Sequence, residues 1–311
     1  LFPYTTLFRS IQFSFTGELR VQQDLAAQRL LAYDYGILSA ATAFGKTVVC
    51  SYLIAERKVN TLILLESTEL ISQWEEELGR FLLIDEEPPE YQTKTGRVKK
   101  RSSVIGTLKG GKDSLTGMVG SLYKKGKFHE KLNSYGMVIM DECHHAASAT
   151  AQEILKKVNA KYVYGVSATP MRSDNLEKIN YMLLGPVRHR YTALERAEAQ
   201  GIEHLVIPRY TRVVGTFSKK EINKAYNHIC SNEMRNKQIL EDIQICVKNG
   251  RTPEVLTRFK EQARYLYEQS KNYADNVFVF YGDNTNKENE LIRKQMKNVP
   301  NDRSLILQGL S

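Results

Sequence analysis

The chain has 311 residues, of which 42% are hydrophobic and 25% are charged, ordinary values for a globular protein. This composition excludes collagen-like, low-complexity and wholly disordered chains, and a run of about 18 apolar residues that would predict a transmembrane helix is lacking. The 44 basic and 35 acidic residues give a net charge of +9, which favours a polyanionic partner but also occurs in many other proteins. The length predicts two domains, or one domain and part of a second.

The first ten residues, LFPYTTLFRS, resemble the conceptual translation of a sequencing adaptor and lack a signal-peptide pattern. We therefore expect residues 1–10 to be an artefact, with a frayed natural terminus as the alternative. The four cysteines form no Cys-x-x-Cys pair, which argues against a zinc or redox motif and is typical of a reducing compartment. We expect a cytoplasmic protein.

Apolar runs alternate with helical periodicity along the rest of the chain, which predicts an α/β fold with a parallel sheet. The predicted strands are Gly36–Ala40, Thr61–Leu65, Met137–Met140, Tyr162–Val166, Pro253–Thr257, Asn276–Tyr281 and Ser304–Leu307. The predicted helices are Gly45–Arg57, Glu69–Phe81, Lys219–Lys248, Phe259–Ser270 and Lys287–Lys297. The prolines and the basic run of Asp85–Gly111 predict a loop, and Val206–Val214 is predicted to be extended.

The first motif that carries chemistry lies between a predicted strand and a predicted helix. It comprises Thr42, Ala43, Phe44, Gly45, Lys46 and Thr47. A P-loop requires this context, because a helix N-terminus and successive backbone N–H groups bind phosphate oxygens. We expect Lys46 to contact the β- and γ-phosphates and the Thr47 hydroxyl to bind Mg²⁺. Ala40 occupies the place of the first glycine of the general motif, which weakens the match.

The second motif, Asp141-Glu142-Cys143-His144-His145, directly follows the apolar strand Met137–Met140. A P-loop enzyme keeps its second Mg²⁺ ligand and its base in an acidic pair at the end of a buried strand. We expect Asp141 to hold Mg²⁺ through water and Glu142 to orient and deprotonate the attacking water. Because no third zinc ligand is suitably spaced, we expect His144 to link this loop to the next motif rather than to bind metal.

The third motif, Ser167-Ala168-Thr169-Pro170, follows the predicted strand Tyr162–Val166. Its two hydroxyls can hydrogen-bond to the acidic loop, although in isolation it is also an ordinary turn ended by proline. With three such motifs in this order, the chain resembles the helicases of superfamily two, and more narrowly the bacterial DEAD/DEAH-box family with a type III restriction-like motor. The stretches that carry the resemblance also include Gly17–Gln23, Gly110–Lys112, Asn159–Gly165 and Gly250–Thr257.

The resemblance implies two RecA-like domains that close on ATP and Mg²⁺, with nucleic acid lying across both. It places the ATP-binding domain at residues 11–215, a helical linker at 216–249 and a truncated second domain at 250–311. Gln23 matches the upstream glutamine that contacts the adenine edge, with Gln22 as the alternative. Ser167 and Thr169 match the motif that couples hydrolysis to strand movement. The residues that match nucleic-acid contacts are Ser67, Thr68, Ser121, Lys124, Thr257 and Arg258.

The sequence departs from this family in two places. Between Gly117 and Met118 it looks a few residues short, so we expect a central strand to be lost or shifted in register. The chain also ends before the last two motifs, which include the arginines directed at the γ-phosphate. Because such an arginine contributes roughly 10³–10⁵ in rate, we expect this chain to bind ATP but to hydrolyse it poorly.

The leading hypothesis is an ATP-dependent helicase or translocase that acts on DNA rather than RNA, without a membrane partner. One alternative is the motor subunit of a restriction or conflict system, which moves along duplex DNA without separating its strands. Another is an ATP-switched nucleic-acid-binding module without motor activity. The third motif and the second βα block argue against a P-loop kinase or transport ATPase. A nuclease or other domain would lie outside this chain.

Overall fold

The computed structural model describes most of the chain and divides it into two compact units, Leu1–His204 and Leu205–Ser311. The described residues are 9–88, 90–92, 97–100, 103–108, 116–118, 123–124, 127–128, 130–169, 177–201, 205–300 and 304–309. Of the ten residues expected to be an artefact, only Arg9 and Ser10 fall within these ranges, and Ser10 forms an isolated bridge with Val59. No helix among the described residues is long and apolar enough to cross a membrane.

The elements alternate between strand and helix through most of both units. The strands are β1 (Phe13–Phe15), β2 (Tyr35–Ala40), β3 (Thr61–Leu65), β4 (Leu82–Ile84), β5 (Glu90–Gln92), β6 (Val98–Lys100), β7 (Thr107–Leu108), β8 (Thr116–Met118), β9 (Tyr123–Lys124), β10 (Lys127–Phe128), β11 (Met137–Asp141), β12 (Tyr162–Ser167), β13 (Val187–Tyr191), β14 (Glu254–Thr257), β15 (Asn276–Tyr281) and β16 (Ser304–Gly309). The helices are α1 (Val21–Leu31), α2 (Lys46–Arg57), α3 (Thr68–Phe81), α4 (Ala149–Lys157), α5 (Glu177–Leu184), α6 (Ala193–Gln200), α7 (Ile222–Cys230), α8 (Glu233–Lys248), α9 (Lys260–Ser270) and α10 (Asn286–Lys297).

The first unit is built on a parallel sheet with the strand order β13-β2-β12-β11-β3-β8-β7. All five residues of β3 are buried, because helices cover both faces of the sheet. Side chains of a strand alternate between faces, so Ile63 and Leu65 join one core while Leu62 and Leu64 join the other. The first core holds α1, α2 and α3, and the second holds α4 and α5. This arrangement confirms the predicted α/β fold with a parallel sheet.

The second unit has a parallel sheet with the order β14-β16-β15. Its core is formed by Ile243, Val247, Leu266, Ala274, Leu305 and Leu307. The predicted linker helix is interrupted. Its second part, α8, is capped by Asn232, whose side chain accepts a hydrogen bond from the Arg235 N–H. Because α8 contributes Ile243 and Val247 to this core, it packs as part of the second unit. Residues 205–218 form neither a strand nor a helix before a short 3₁₀ turn.

Two expectations about the first unit need correction. The described parts of Asp85–Gly111 are not only loop, because β5 pairs with β6 in an antiparallel hairpin and β7 joins the main sheet. Near Gly117, where a strand was expected to be lost or shifted in register, the strand is not lost: β8 pairs in parallel with β3 through Thr116 to Met118. Local turn chemistry and composition could not show that β5 and β6 pair with each other or that β7 and β8 complete one edge of the main sheet.

Candidate active site

The three motifs converge because of the order of the strands. β2, β12 and β11 are adjacent and parallel, so the segments that follow them leave the same edge of the sheet. In open α/β sheets, ligands bind outside the carboxyl ends of the strands. The sheet thus brings the Lys46 loop, the Asp141 loop and Ser167 to one edge, as the sequence predicts.

The loop that precedes α2 has the backbone expected of a phosphate-binding turn. Gly45 is the N-cap of α2 with φ +87°, and Ala43 also has a left-handed φ of 60°. A Cβ atom on Gly45 would lie 2.4 Å from the Gln23 Nε2 atom, so only glycine fits there. Because α2 begins at Lys46, its first N–H groups lie at this loop, where they can donate to an anion. The Lys46 ammonium donates to the Ala40 carbonyl at 3.2 Å.

Gln23 fixes the same loop from α1. It is 3% exposed, its Nε2 donates to the Phe44 carbonyl at 2.8 Å, and its Oε1 accepts from the Arg20 N–H at 2.9 Å. The Arg20 guanidinium also donates to the Phe44 carbonyl. Gln22, the alternative, is exposed. Both glutamines therefore reach this region, but the amide of Gln23 is engaged by the backbone of the loop.

A cavity of about 260 Å³ lies beside this loop. It is lined by Arg20, Val21, Gln22, Gln23, Ala43, Phe44, Tyr191, Arg196, Ala199 and Gln200. The rings of Phe44 and Tyr191 have centroids 5.0 Å apart, and Arg196 donates to the Thr42 carbonyl at 2.6 Å. Sequence reasoning missed Arg20, Tyr191 and Arg196. The roles of Tyr191 and Arg196 depend on β13 and α6 returning to the loop.

Asp141, at the end of β11, has a well-defined set of hydrogen-bond donors. Its Oδ2 accepts from the Trp74 Nε1–H at 2.8 Å, and its Oδ1 accepts from the Glu142 N–H at 2.9 Å. Burial raises the pKa of Asp141, while the Trp74 and Glu142 hydrogen bonds and the Lys46 charge act to lower it. The sequence analysis predicts the helix that carries Trp74 but does not single out this residue.

Glu142, His144 and Ser167 form a hydrogen-bonded group. The Ser167 hydroxyl donates to Glu142 Oε2 at 3.1 Å, and His144 Nδ1 lies 3.0 Å from Ser167 Oγ and 3.3 Å from Glu142 Oε2. The Thr169 N–H donates to Ser167 Oγ at 3.1 Å. Glu142 has a left-handed φ of 45°, a strained backbone of the kind found at functional sites. His145 turns away, with its Nε2 3.4 Å from Glu66 Oε2.

The possible metal ligands at this edge suit Mg²⁺ better than a metal ion that is coordinated only by protein side chains. Within the described ranges, no group of three or more His, Cys, Asp or Glu residues could hold a metal ion. Mg²⁺ keeps several waters and binds through one or two carboxylates together with substrate phosphates. The half-buried Asp141 carboxylate is close enough to feel the Lys46 charge, and α2 begins with Lys46 and Thr47 at the same sheet edge, so these residues fit that coordination.

The residues predicted to contact nucleic acid lie in several places. Ser67 and Thr68 lie where β3 passes into α3, at the carboxyl edge of the same sheet. Lys124 belongs to the β9–β10 hairpin, and Ser121 lies outside the described residues. In the second unit, Thr257 ends β14, and the Arg258 guanidinium lies 5.0 Å from the centroid of the Tyr226 ring.

A cavity of about 800 Å³ opens at this end of β14. It is lined by Asn227, Cys230, Ser231, Glu233, Asn236, Arg258, Phe259, Lys260, Glu261, Gln262 and Tyr265. Thr257 Oγ1 donates to Gln262 Oε1 at 2.5 Å, and Gln262 Nε2 donates to Asn236 Oδ1 at 2.8 Å. This buried amide pair fixes the end of the strand.

Comparison with known proteins gives consistent matches. The model of the family described as "Type III restriction enzyme, res subunit" matches residues 16–172. The DNA 3'-5' translocase XPB2 of Sulfurisphaera tokodaii is 27% identical over 235 residues, covering 74% of this chain and 49% of that protein. The putative ATP-dependent RNA helicase L396 of Acanthamoeba polyphaga mimivirus is 25% identical over 305 residues, covering 92% and 55% respectively.

Among solved structures, the helicase domain of Pyrococcus furiosus Hef matches with a TM-score of 0.54 at 12% identity, covering 93% of this chain and 85% of that one. This likeness extends the confirmed α/β prediction to a RecA-like fold. The chain spans about half the length of the curated relatives it matches.

Proposed function

The chain belongs to the family described as type III restriction enzyme, res subunit, and from this premise we propose that it is an ATP-dependent nucleic-acid helicase or translocase. The observation that carries the proposal is the convergence of three motifs at one sheet edge. There the Lys46 loop and Asp141 lie with the hydrogen-bonded group of Glu142, His144 and Ser167.

We propose that the phosphates of ATP bind at the N-terminus of α2. The N–H groups at the start of this helix would donate to the phosphate oxygens, and the Lys46 ammonium, which now donates to the Ala40 carbonyl, would turn to them. The adenine ring would occupy the cavity beside Phe44 and Tyr191, within reach of Gln22 and Gln23. Aromatic rings and amide groups suit a planar heterocycle with a hydrogen-bonding edge.

Thr47 and Asp141 are the residues that would hold Mg²⁺, which supplies charge neutralisation of the phosphate oxygens when bound. Glu142 orients the attacking water and accepts its proton. Ser167 and His144 contact the same carboxylate, so they orient it and connect it to Thr169. In this proposal, that contact couples hydrolysis to movement of the strand.

Nucleic acid is proposed to bind at the start of α3, at Lys124 and Ser121, and at Thr257 and Arg258 of the second unit. Serine and threonine hydroxyls, lysine, arginine and a helix N-terminus are common phosphate contacts, and the net charge of +9 has the appropriate sign. We propose DNA rather than RNA as the nucleic acid, a choice supported by the name of the translocase relative. ATP turnover compared with DNA and RNA of matched sequence tests this choice.

Movement along duplex DNA without strand separation is a second candidate. It is favoured by the family description and by a relative named as a translocase. A strand-unwinding assay set beside a triplex-displacement assay separates the two activities. Tight, salt-dependent binding without stimulated turnover would instead identify an ATP-switched binding module.

We propose residues 11–215 as the ATP-binding domain, 216–249 as a helical connection and 250–311 as belonging to a second RecA-like domain. The packing of the first unit around its sheet supports the first assignment. Within the helical connection, α8 packs against the core of the second unit through Ile243 and Val247.

The first experiment measures binding of a non-hydrolysable Mg-ATP analogue by calorimetry. Lys46→Ala should weaken binding about 10²-fold, because it removes a charge-assisted contact to phosphate. Lys157→Ala, which removes an exposed lysine of α4, is the matched control and should bind as the wild type does. A folded Lys46→Ala variant that binds equally well would overturn the nucleotide site.

A further inference from the structure

Helix α3 connects the proposed nucleic-acid contact at its start with Asp141 of the proposed nucleotide site. It begins at Thr68, next to Ser67, and two turns later places Trp74 in the first core at 2% exposure. The indole N–H of Trp74 donates to Asp141 Oδ2 at 2.8 Å. Trp74, a residue of the helix that is proposed to contact nucleic acid, therefore holds the carboxylate that is proposed to bind Mg²⁺.

A second contact joins the same two segments. Glu66, which directly precedes Ser67, has its Oε2 3.4 Å from His145 Nε2. The His145 ring lies 4.1 Å, centroid to centroid, from His144, which contacts Glu142. The segment from Glu66 to Trp74 is thus linked to the acidic loop at both of its ends.

We propose that Trp74 is a positioning residue that transmits the binding of nucleic acid at the start of α3 to the carboxylate of Asp141. This inference rests on the proposed function. An indole N–H is a single donor on a ring that buried neighbours hold in place, so it moves with its helix. Hydrogen bonds weaken steeply as they bend, so a small shift of α3 alters the orientation of the carboxylate.

The coupling is reciprocal by thermodynamic necessity. If the binding of nucleic acid stabilises the orientation of Asp141 that binds Mg-nucleotide, then Mg-nucleotide must raise the affinity for nucleic acid by the same factor. A purely structural role, in which Trp74 only satisfies a buried carboxylate, predicts instead that the two affinities change independently. The ratio of nucleotide affinities with and without strand therefore separates the two roles.

The experiment measures the Kd of a non-hydrolysable Mg-ATP analogue with and without a saturating single-stranded DNA oligonucleotide. The wild type should bind the analogue roughly fivefold or more tightly with DNA present. Trp74→Phe should still bind both ligands, with the ratio reduced to about one because the donor is lost. Leu78→Ala, a truncation in the same buried face of α3, is the matched control and should keep the wild-type ratio.

Trp74 is the only tryptophan of the chain, which provides an independent readout. DNA alone, without nucleotide, should change its fluorescence. If Trp74→Phe fails to fold, a benzothiophene analogue of tryptophan, which keeps the shape but lacks the N–H, replaces it at this single site. The same loss of coupling is then expected.

Several outcomes overturn the inference. One is a wild-type ratio of one although both ligands bind, which leaves the proposed function intact. Another is an unchanged ratio in Trp74→Phe, or an equal loss of coupling in Leu78→Ala. If the folded wild type binds no nucleotide, the proposed function fails and the inference fails with it.

Discussion

The two units hold their functional residues in different ways. In the first unit, Asp141 ends β11, and the four residues of the strand before it are all buried between two cores. In the second unit, Thr257 ends β14, where exposed and partly buried residues precede it, and its hydroxyl is held by a hydrogen bond to Gln262. Apolar packing on both faces of a sheet positions the first, whereas a buried polar pair positions the second.

This difference follows the chemistry that each unit is proposed to perform. Hydrolysis requires groups held within fractions of an ångström, which close packing of a doubly covered sheet provides. A contact to a phosphate backbone tolerates more variation, because it positions a strand without reading its sequence. Substitutions of the same kind should therefore have different consequences in the two units.

The largest effect should come from Glu142→Gln. The amide oxygen can still accept from Ser167, but it cannot take a proton from water, so kcat for ATP should fall roughly 10²–10⁴-fold. Affinity for a Mg-ATP analogue and for DNA should stay near wild type. Steady-state phosphate release and calorimetry measure the two quantities.

Glu153→Gln, an acid-to-amide change on the exposed side of α4, is the matched control for Glu142→Gln. It should leave both turnover and binding unchanged. Wild-type turnover by Glu142→Gln would remove Glu142 from the role of base.

A pair of identical substitutions compares the two cores. Leu64 and Leu266 are both fully buried, so Leu64→Ala and Leu266→Ala should each cost about 2–5 kcal/mol of local stability. The second unit has a smaller core, so Leu266→Ala should unfold it while nucleotide binding by the first unit persists. Hydrogen exchange resolved by peptide measures each unit separately. Loss of nucleotide binding in Leu266→Ala would show that the units do not unfold independently.

Breaking the buried amide pair of the second unit should destabilise it less than the leucine truncations do. Gln262→Ala leaves the Thr257 hydroxyl and the side-chain oxygen Oδ1 of Asn236 without this partner. The free energy of unfolding should fall by about 1–3 kcal/mol. Gln269→Ala changes an exposed glutamine of the same helix and should cost almost nothing. Denaturant unfolding followed by circular dichroism provides the comparison. Equal effects would mean that the network does not stabilise the end of β14.

Sequence reasoning predicted the elements and motifs that rest on local pattern. The strands Thr61–Leu65 and Asn276–Tyr281 have the predicted bounds, because apolar runs ended by turn residues define them locally. The contact of His144 with Ser167 was also expected from the order of the motifs. Trp74 and Arg196 could not be found in this way, because their partners lie 67 and 154 residues away in the chain.

The smallest expected effect concerns pH and the buried His189 of β13. The Arg29 guanidinium donates to Nδ1 at 3.3 Å, and Nε2 has no partner among the described residues. Burial first, and then the Arg29 charge, lower the pKa of His189, while Glu195 acts in the opposite direction. A histidine whose pKa is lowered on folding takes up its proton more readily in the unfolded chain. Its contribution to stability is therefore present above about pH 6.5 and is lost as the pH falls through the pKa of the folded state.

Unfolding of the first unit should thus become easier between about pH 7 and 5, by no more than about 1.4 kcal/mol per pH unit for this single proton. His189→Gln should remove that part of the dependence. The His189 ring lies 6.4 Å, centroid to centroid, from Phe44, whose carbonyl accepts from Gln23, so acid should loosen the loop that is proposed to bind nucleotide as well. Urea titrations of both proteins across this pH range measure the difference. Identical slopes would assign the acid sensitivity of the first unit to other groups.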